Sequence, residues 1–198
     1  KMNNYNYFAV DIGNSWYKVL ASDHGELREY QMPNAIALYD DEFYEKPYDE
    51  EDIELEENLI AEIKSPAITN KREIFYAGKA AAKQRNVSLT ASNNQKADED
   101  RTYILLFAAA AYHASIINSN DIELDYCIDQ LAVSLPTTQY KERKEQLKQR
   151  LIGSHTITLH KVPGIPEPKE LIVKLEIKDV IVGAEGACAY LGLIRDID

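Results

Sequence analysis

Asp11-Ile12-Gly13-Asn14-Ser15-Trp16-Tyr17-Lys18 is the end of an apolar strand, a glycine bend and the start of a second strand. Residues 5–11 are rich in aromatic and β-branched side chains, as strands are. Gly13-Asn14 is a hairpin-turn signal. Residues 16–22 return as a second strand, Asp23-His24-Gly25 turns the chain again, and residues 26–32 form a third strand that Pro33 ends. The chain therefore opens on a three-stranded antiparallel meander.

The bend has its own chemistry. Backbone amides in a glycine turn can converge on an anion, because no side chain blocks the approach. Asn14 and Ser15 add donors, and Lys18 adds a positive charge. Asp11 repels phosphate directly, but its carboxylate suits a hydrated Mg²⁺. Gly-Asn turns also close hairpins that bind nothing, so spacing alone leaves both readings open.

Downstream, residues 58–64 and 72–77 read as strands, and residues 79–85 as a short alanine-rich helix. Residues 101–118 carry Ile104, Leu105, Ala108, Ala111, Tyr112 and Ile116 near helical spacing, which predicts a buried helix. Residues 126–135 form a strand that runs into Pro136, and a helix over 139–151 follows, its Lys and Glu facing water. Residues 155–162 and 170–182 alternate as strands. Gly183-Ala184-Glu185-Gly186 then turns into a small-residue helix over 186–194. The order is α/β, a mixed sheet with helices packed on it in a βββαβα pattern.

The chain has 198 residues and is 45% hydrophobic, enough for a buried core. No apolar run reaches the ~20 residues of a membrane helix, so no membrane association is expected. The formal charge of −11 is local: residues 39–57 hold eleven acids and one base, which leaves the remainder close to neutral. No basic stripe suggests direct nucleic-acid binding. The acidic run reads as a solvated loop; its interleaved Tyr39, Phe43, Tyr44 and Tyr48 could anchor a partner or tuck into their own domain. Cys127 and Cys188 follow no metal-binding spacing, and two reduced thiols suit a cytoplasmic protein.

Four passages, in order, carry a resemblance. They are Val10-Asp11-Ile12-Gly13-Asn14-Ser15 with Lys18; Phe75-Tyr76-Ala77-Gly78-Lys79-Ala80-Ala81; Leu131-Ala132-Val133-Ser134-Leu135-Pro136-Thr137-Thr138-Gln139-Tyr140; and Val182-Gly183-Ala184-Glu185-Gly186-Ala187-Cys188-Ala189. Together they resemble the actin, Hsp70 and sugar-kinase superfamily, and within it the bacterial actin-like ATPases of the plasmid-partitioning ParM type. The resemblance implies an RNase-H-like sheet in an actin-type first domain. Residues 1–32 and 100–198 would form the subdomain with the phosphate loop; residues 33–99, with the acidic loop 39–57, would form an inserted small subdomain. It implies ATP and Mg²⁺ as ligands, with Asp11 holding the metal through water. Gly13, Asn14, Ser15 and Lys18 would contact phosphate, and Glu185 would orient or activate the attacking water. A glutamate at a helix start is equally an ordinary response to the helix dipole. It further implies self-association into filaments and a DNA-binding adaptor as partner.

The family's second phosphate loop, with its Gly-Gly pair, is not in this sequence. The chain reads as the first half of an ATP site, inactive alone because phosphoryl transfer needs positioning from both sides. Two alternatives stand beside this reading. A small-molecule kinase would need a carboxylate soon after Pro136, and the next is Glu142. A non-catalytic half-fold that binds or caps a partner needs none.

Overall fold

Strand alternation sorts the first sheet into a buried face and an open one. In the computed structural model, residues 5–40, 54–69, 73–89, 96–118 and 121–185 are described. Strands β1 (Tyr7–Ile12), β2 (Trp16–Asp23) and β3 (Glu26–Pro33) form the expected antiparallel meander. Phe8, Val10, Ile12, Tyr17, Val19 and Ala21 point into the core, whereas Tyr7, Asp11, Trp16, Lys18 and Leu20 point outward.

The next segments build mostly a second sheet. They are β4 (Ala35–Leu38), β5 (Ile60–Lys64), β6 (Ile74–Ala77), the short helix α1 (Lys79–Ala82) and β7 (Ser88–Leu89). Helix α2 (Asp100–Ile117) is buried along most of its length, as the sequence predicts, and touches strands of both sheets. Its run Ala108–Ala111 gives it a slim profile that lets strands approach closely. Two tyrosine hydroxyls donate to its backbone: Tyr30 to the Ala109 carbonyl at 2.9 Å and Tyr17 to that of Thr102 at 3.5 Å.

Beyond α2 come β8 (Glu123–Ile128), β9 (Gln130–Leu135), α3 (Thr137–Leu151), β10 (Gly153–His160), β11 (Leu171–Ile177) and β12 (Val180–Ala184). The first sheet has the order β12-β9-β1-β2-β3, with β9 parallel to β1 and β12 parallel to β9. The second has the order β7-β4-β6-β5-β10-β11-β8, so strands from residues 33–99 share it with β8, β10 and β11. This is the α/β, RNase-H-like mixed sheet that the sequence predicts, with a second mixed sheet beside it.

Two strands read as continuous in the sequence are each divided. Residues 126–135 break at Asp129, and residues 170–182 break at Lys178-Asp179; in both, the chain leaves the second sheet and enters the first. The two breaks lie side by side and keep one register. Ile128 faces Ile177 before them and Leu131 faces Val180 after them. The groups freed by the bend find partners there. Asp129 accepts from the Asn6 amide at 2.9 Å and from Lys178 Nζ at 2.7 Å, and the Asp179 carbonyl accepts from the Leu131 amide at 2.9 Å. A parallel two-stranded ribbon thus bends as a unit and stitches the sheets together. The predicted helix over 186–194, Cys188 and residues 41–53 of the acidic loop lie outside the described residues.

Candidate functional site

The carboxyl end of the parallel strands gathers the residues singled out in the sequence. Asp11 on β1 stands opposite Lys18 on β2. Ser134 on β9 donates its hydroxyl to Asp11 Oδ1 at 3.3 Å, and Ser134 pairs with Gly183 on β12. Lys18, Asp11, Ser134 and Gly183 therefore form one row across four adjacent strands. In open α/β sheets, this is the edge where ligands bind.

The bend itself is tight. A Cβ on Gly13 would lie 2.6 Å from the Trp16 carbonyl oxygen, so only glycine fits without moving backbone. Asn34, which is buried, holds the turn closed from behind. Its side-chain amide donates to the Gly13 carbonyl at 2.7 Å, and its backbone amide donates to the Ser15 carbonyl at 2.9 Å. Carbonyls are thus turned inward to protein donors. Among the described residues, no hydrogen bond uses the amide of Gly13 or Ser15. Asn14 and Ser15 are exposed at the tip.

Glu185 follows β12 and is fixed by its own amide, which donates to the Leu135 carbonyl at 2.7 Å. Its carboxylate meets a residue the sequence reading passed over. Lys96 Nζ lies 2.6 Å from Glu185 Oε1 and 2.5 Å from the Ile12 carbonyl oxygen, and Lys96 is 7% exposed. One ammonium thus joins the residue before Gly13 to Glu185. The structure brings Glu185 and the hairpin together through Lys96, and Asp11 and Lys18 together through strand pairing.

Helices α2 and α3 set the height of Lys96. Arg150 on α3 reaches the Ala97 carbonyl at 3.1 Å, the Ala67 carbonyl, and Asp100 Oδ1 at 3.1 Å, with its guanidinium stacked 3.9 Å over the Tyr103 ring. Tyr103 donates to the Ala97 carbonyl at 2.6 Å; burial pushes its hydroxyl up to about 12. Behind the meander, Asp23 receives the Tyr126 hydroxyl at 3.1 Å and contacts His113 Nε2. Burial alone would raise the Asp23 carboxyl, but its bonds from His113 and Tyr126 prevail and hold it below the usual carboxylate range.

The donor set suits a metal-bound triphosphate. A carboxylate and a hydroxyl share the strand ends, an ammonium stands opposite, and a bend with no room for a side chain lies at the tip.

Fold and site together define an RNase-H-like domain whose first hairpin closes on a tight glycine bend. Residues 9–187 match the model of the actin-like proteins' N-terminal domain, and the chain belongs to that family. Among solved structures it is similar to Bacillus thuringiensis ParM in its apo form, with 20% identity and a TM-score of 0.71; the match covers 96% of this chain and 48% of that one. It is also similar to the actin-like protein Alp7A, with 20% identity and a TM-score of 0.67, covering 94% of this chain and 46% of that one. A third is the subunit of a 15-stranded ParM filament from Clostridium botulinum, with 15% identity and a TM-score of 0.64, covering 98% and 51%. The chain thus spans about half the length of the structures it matches. The Bacillus thuringiensis ParM is also known with ATP, with ADP and with AMPPNP. No curated protein matches the sequence.

Proposed function

We propose that this chain forms one side of the ATP site of a filament-forming actin-like ATPase that segregates plasmid DNA in the cytoplasm. Residues 1–32 and 100–198 make up its phosphate-gripping subdomain, and residues 33–99 are an insertion on it. The carrying observation is the row Lys18–Asp11–Ser134 beside a hairpin whose carbonyls are tied back by Asn34.

In this reading Gly13, Asn14 and Ser15 hold the terminal phosphates through backbone amides and side-chain donors, and Lys18 neutralises their charge. Asp11 holds Mg²⁺ through bound water, with Ser134 fixing the carboxylate's orientation. When bound, the metal supplies charge neutralisation on the phosphate oxygens. Glu185 accepts a proton from, or orients, the attacking water. The second side of the clamp comes from chain beyond this domain, because transfer needs positioning from both sides. Self-association follows the precedent of the Clostridium botulinum filament. A near-neutral body outside residues 39–57 favours contact with DNA through an adaptor rather than directly.

Phosphate release and filament sedimentation test this in the full-length protein that carries the domain. With Mg·ATP the protein should pellet and then release phosphate. Glu185→Gln should slow release by about 10²–10⁴-fold while leaving nucleotide-dependent pelleting in place. Turnover unchanged by that substitution, or no assembly with any nucleotide, would end the proposal.

A further inference from the structure

Lys96 is the one buried lysine among the described residues, and burial of an ammonium is costly unless its charge is met. Here it is met twice, by the Glu185 carboxylate and by the Ile12 carbonyl. Both acceptors belong to the candidate site. Ile12 is the last residue of β1 and leads directly into the Gly13 bend; Glu185 is the carboxylate after β12. We propose that Lys96 is a positioning residue that ties Glu185 to the phosphate hairpin and keeps its carboxylate aimed at the water-attack position.

Three observations carry the assignment. First, Lys96 is itself held in place. The neighbouring Ala97 amide donates to Gln139 Oε1 at 3.4 Å, and the Ala97 carbonyl receives Tyr103 and Arg150. Asp98 Oδ1 receives Gln146 Nε2 at 3.0 Å, so side chains from three turns of α3 hold the residues that follow Lys96. Second, the Glu185 side chain is 36% exposed, whereas that of Lys96 is 8% exposed. The carboxylate has solvent to swing into, and the buried ammonium is the fixed end of the pair. Third, the Ile12 carbonyl links the same ammonium to the hairpin, so any displacement of the bend is felt at Glu185. A glutamate with three rotatable side-chain bonds loses its aim once released, and an error of about 1 Å at a reacting centre costs on the order of 100-fold in rate.

The inference rests on the reading of Glu185 given above, and the test separates the two. In the full-length protein, Lys96→Met, Glu185→Gln and the double variant are compared for turnover and for affinity toward a non-hydrolysable ATP analogue. The side-chain carboxyl ¹³C resonance of Glu185 is followed in nucleotide-free protein. Lys96→Met should shift that resonance and lower kcat by about 100-fold, with analogue affinity kept within about threefold. In the Glu185→Gln background it should add no further loss, because a residue acting through Glu185 has nothing left to position. Lys96→Gln, which keeps donors without charge, carries the same comparison if the Met variant does not fold. An unmoved Glu185 resonance, or affinity falling as far as kcat, would overturn the assignment. So would turnover lost in Glu185→Gln but retained in Lys96→Met, and that outcome would leave the reading of Glu185 standing. Turnover untouched by Glu185→Gln would remove both.

Discussion

Gly13→Ala puts one methyl group against the tightest backbone contact of the site. The new Cβ would lie 2.6 Å from the Trp16 carbonyl oxygen, and real Cβ atoms essentially never approach closer than 3.0 Å. The bend must therefore open by at least about 0.4 Å, the difference between those two distances. The obstacle is backbone, so no side chain can rotate away. Nor is the turn free to drift, since Asn34 pins the Gly13 and Ser15 carbonyls at 2.7 and 2.9 Å. Overpacking of this kind costs about 1–3 kcal/mol. For a domain of this size that corresponds to a Tm lower by roughly 2–12 °C, at about 2–4 °C per kcal/mol. The same movement displaces the amides proposed to meet phosphate. Calorimetric melting should record the drop, and titration of the full-length protein with Mg·ATP analogue should record an affinity about tenfold weaker or worse. A variant that melts within about 1 °C of the parent and binds nucleotide equally well would refute the close-packed bend.

Arg150→Ala should cost about 2–4 kcal/mol in urea denaturation, because it removes the guanidinium's bonds to the Ala67 and Ala97 carbonyls and leaves the Asp100 carboxylate without its cation. Arg150→Lys should recover little of this, since an ammonium cannot reach three acceptors and stack on Tyr103 together. Tyr126→Phe should cost about 1–3 kcal/mol by removing a buried donor from Asp23, read by the same denaturation series. His155 is held neutral: Ser65 Oγ lies 2.7 Å from Nδ1, Nε2 donates to the Leu151 carbonyl at 2.9 Å, and burial pushes the ring below 6.5. Its contribution is therefore complete above about pH 6.5 and declines as pH falls below that, where the unfolded chain takes a proton the folded one resists. The slope is at most about 1.4 kcal/mol per pH unit, and His155→Gln should flatten it between pH 6.5 and 5 in melts followed by circular dichroism.

The meander and α2 were legible because their signals are local. Asn and Gly at the bend, period-two burial in β1 and β2, and a slim alanine run all act within a few residues. The sheet change at Asp129 and Lys178-Asp179 was not: the apolar alternation slips by one residue at each break, from Leu124, Tyr126 and Ile128 to Leu131, Val133 and Leu135, and from Ile177 to Val180, and resumes so soon that each run reads as one strand. Only the matching positions of two distant charged residues, Asp129 and Lys178, hint that they bend together, and their pairing is tertiary. Asp11, Lys18 and the bend could be picked out from one hairpin. The Ser134 partner of Asp11 comes from a strand more than a hundred residues later, and its place follows from sheet order. Lys96 was illegible for a different reason. It sits in the polar run Asn93-Asn94-Gln95-Lys96-Ala97-Asp98, which reads as a solvated loop. Its burial is imposed by Gln139, Tyr103 and Arg150 gripping Ala97.

The central claim is that a triphosphate rests on the backbone of residues 13–15 with its metal beside Asp11. Amide resonances of ¹⁵N-labelled full-length protein, titrated with a non-hydrolysable ATP analogue with and without Mg²⁺, read this directly. Those of Gly13, Asn14 and Ser15 should move with saturation, and the movement should weaken when Mg²⁺ is withheld or Asp11 is replaced by Asn. Nucleotide that binds while these three amides stay still would contradict the account.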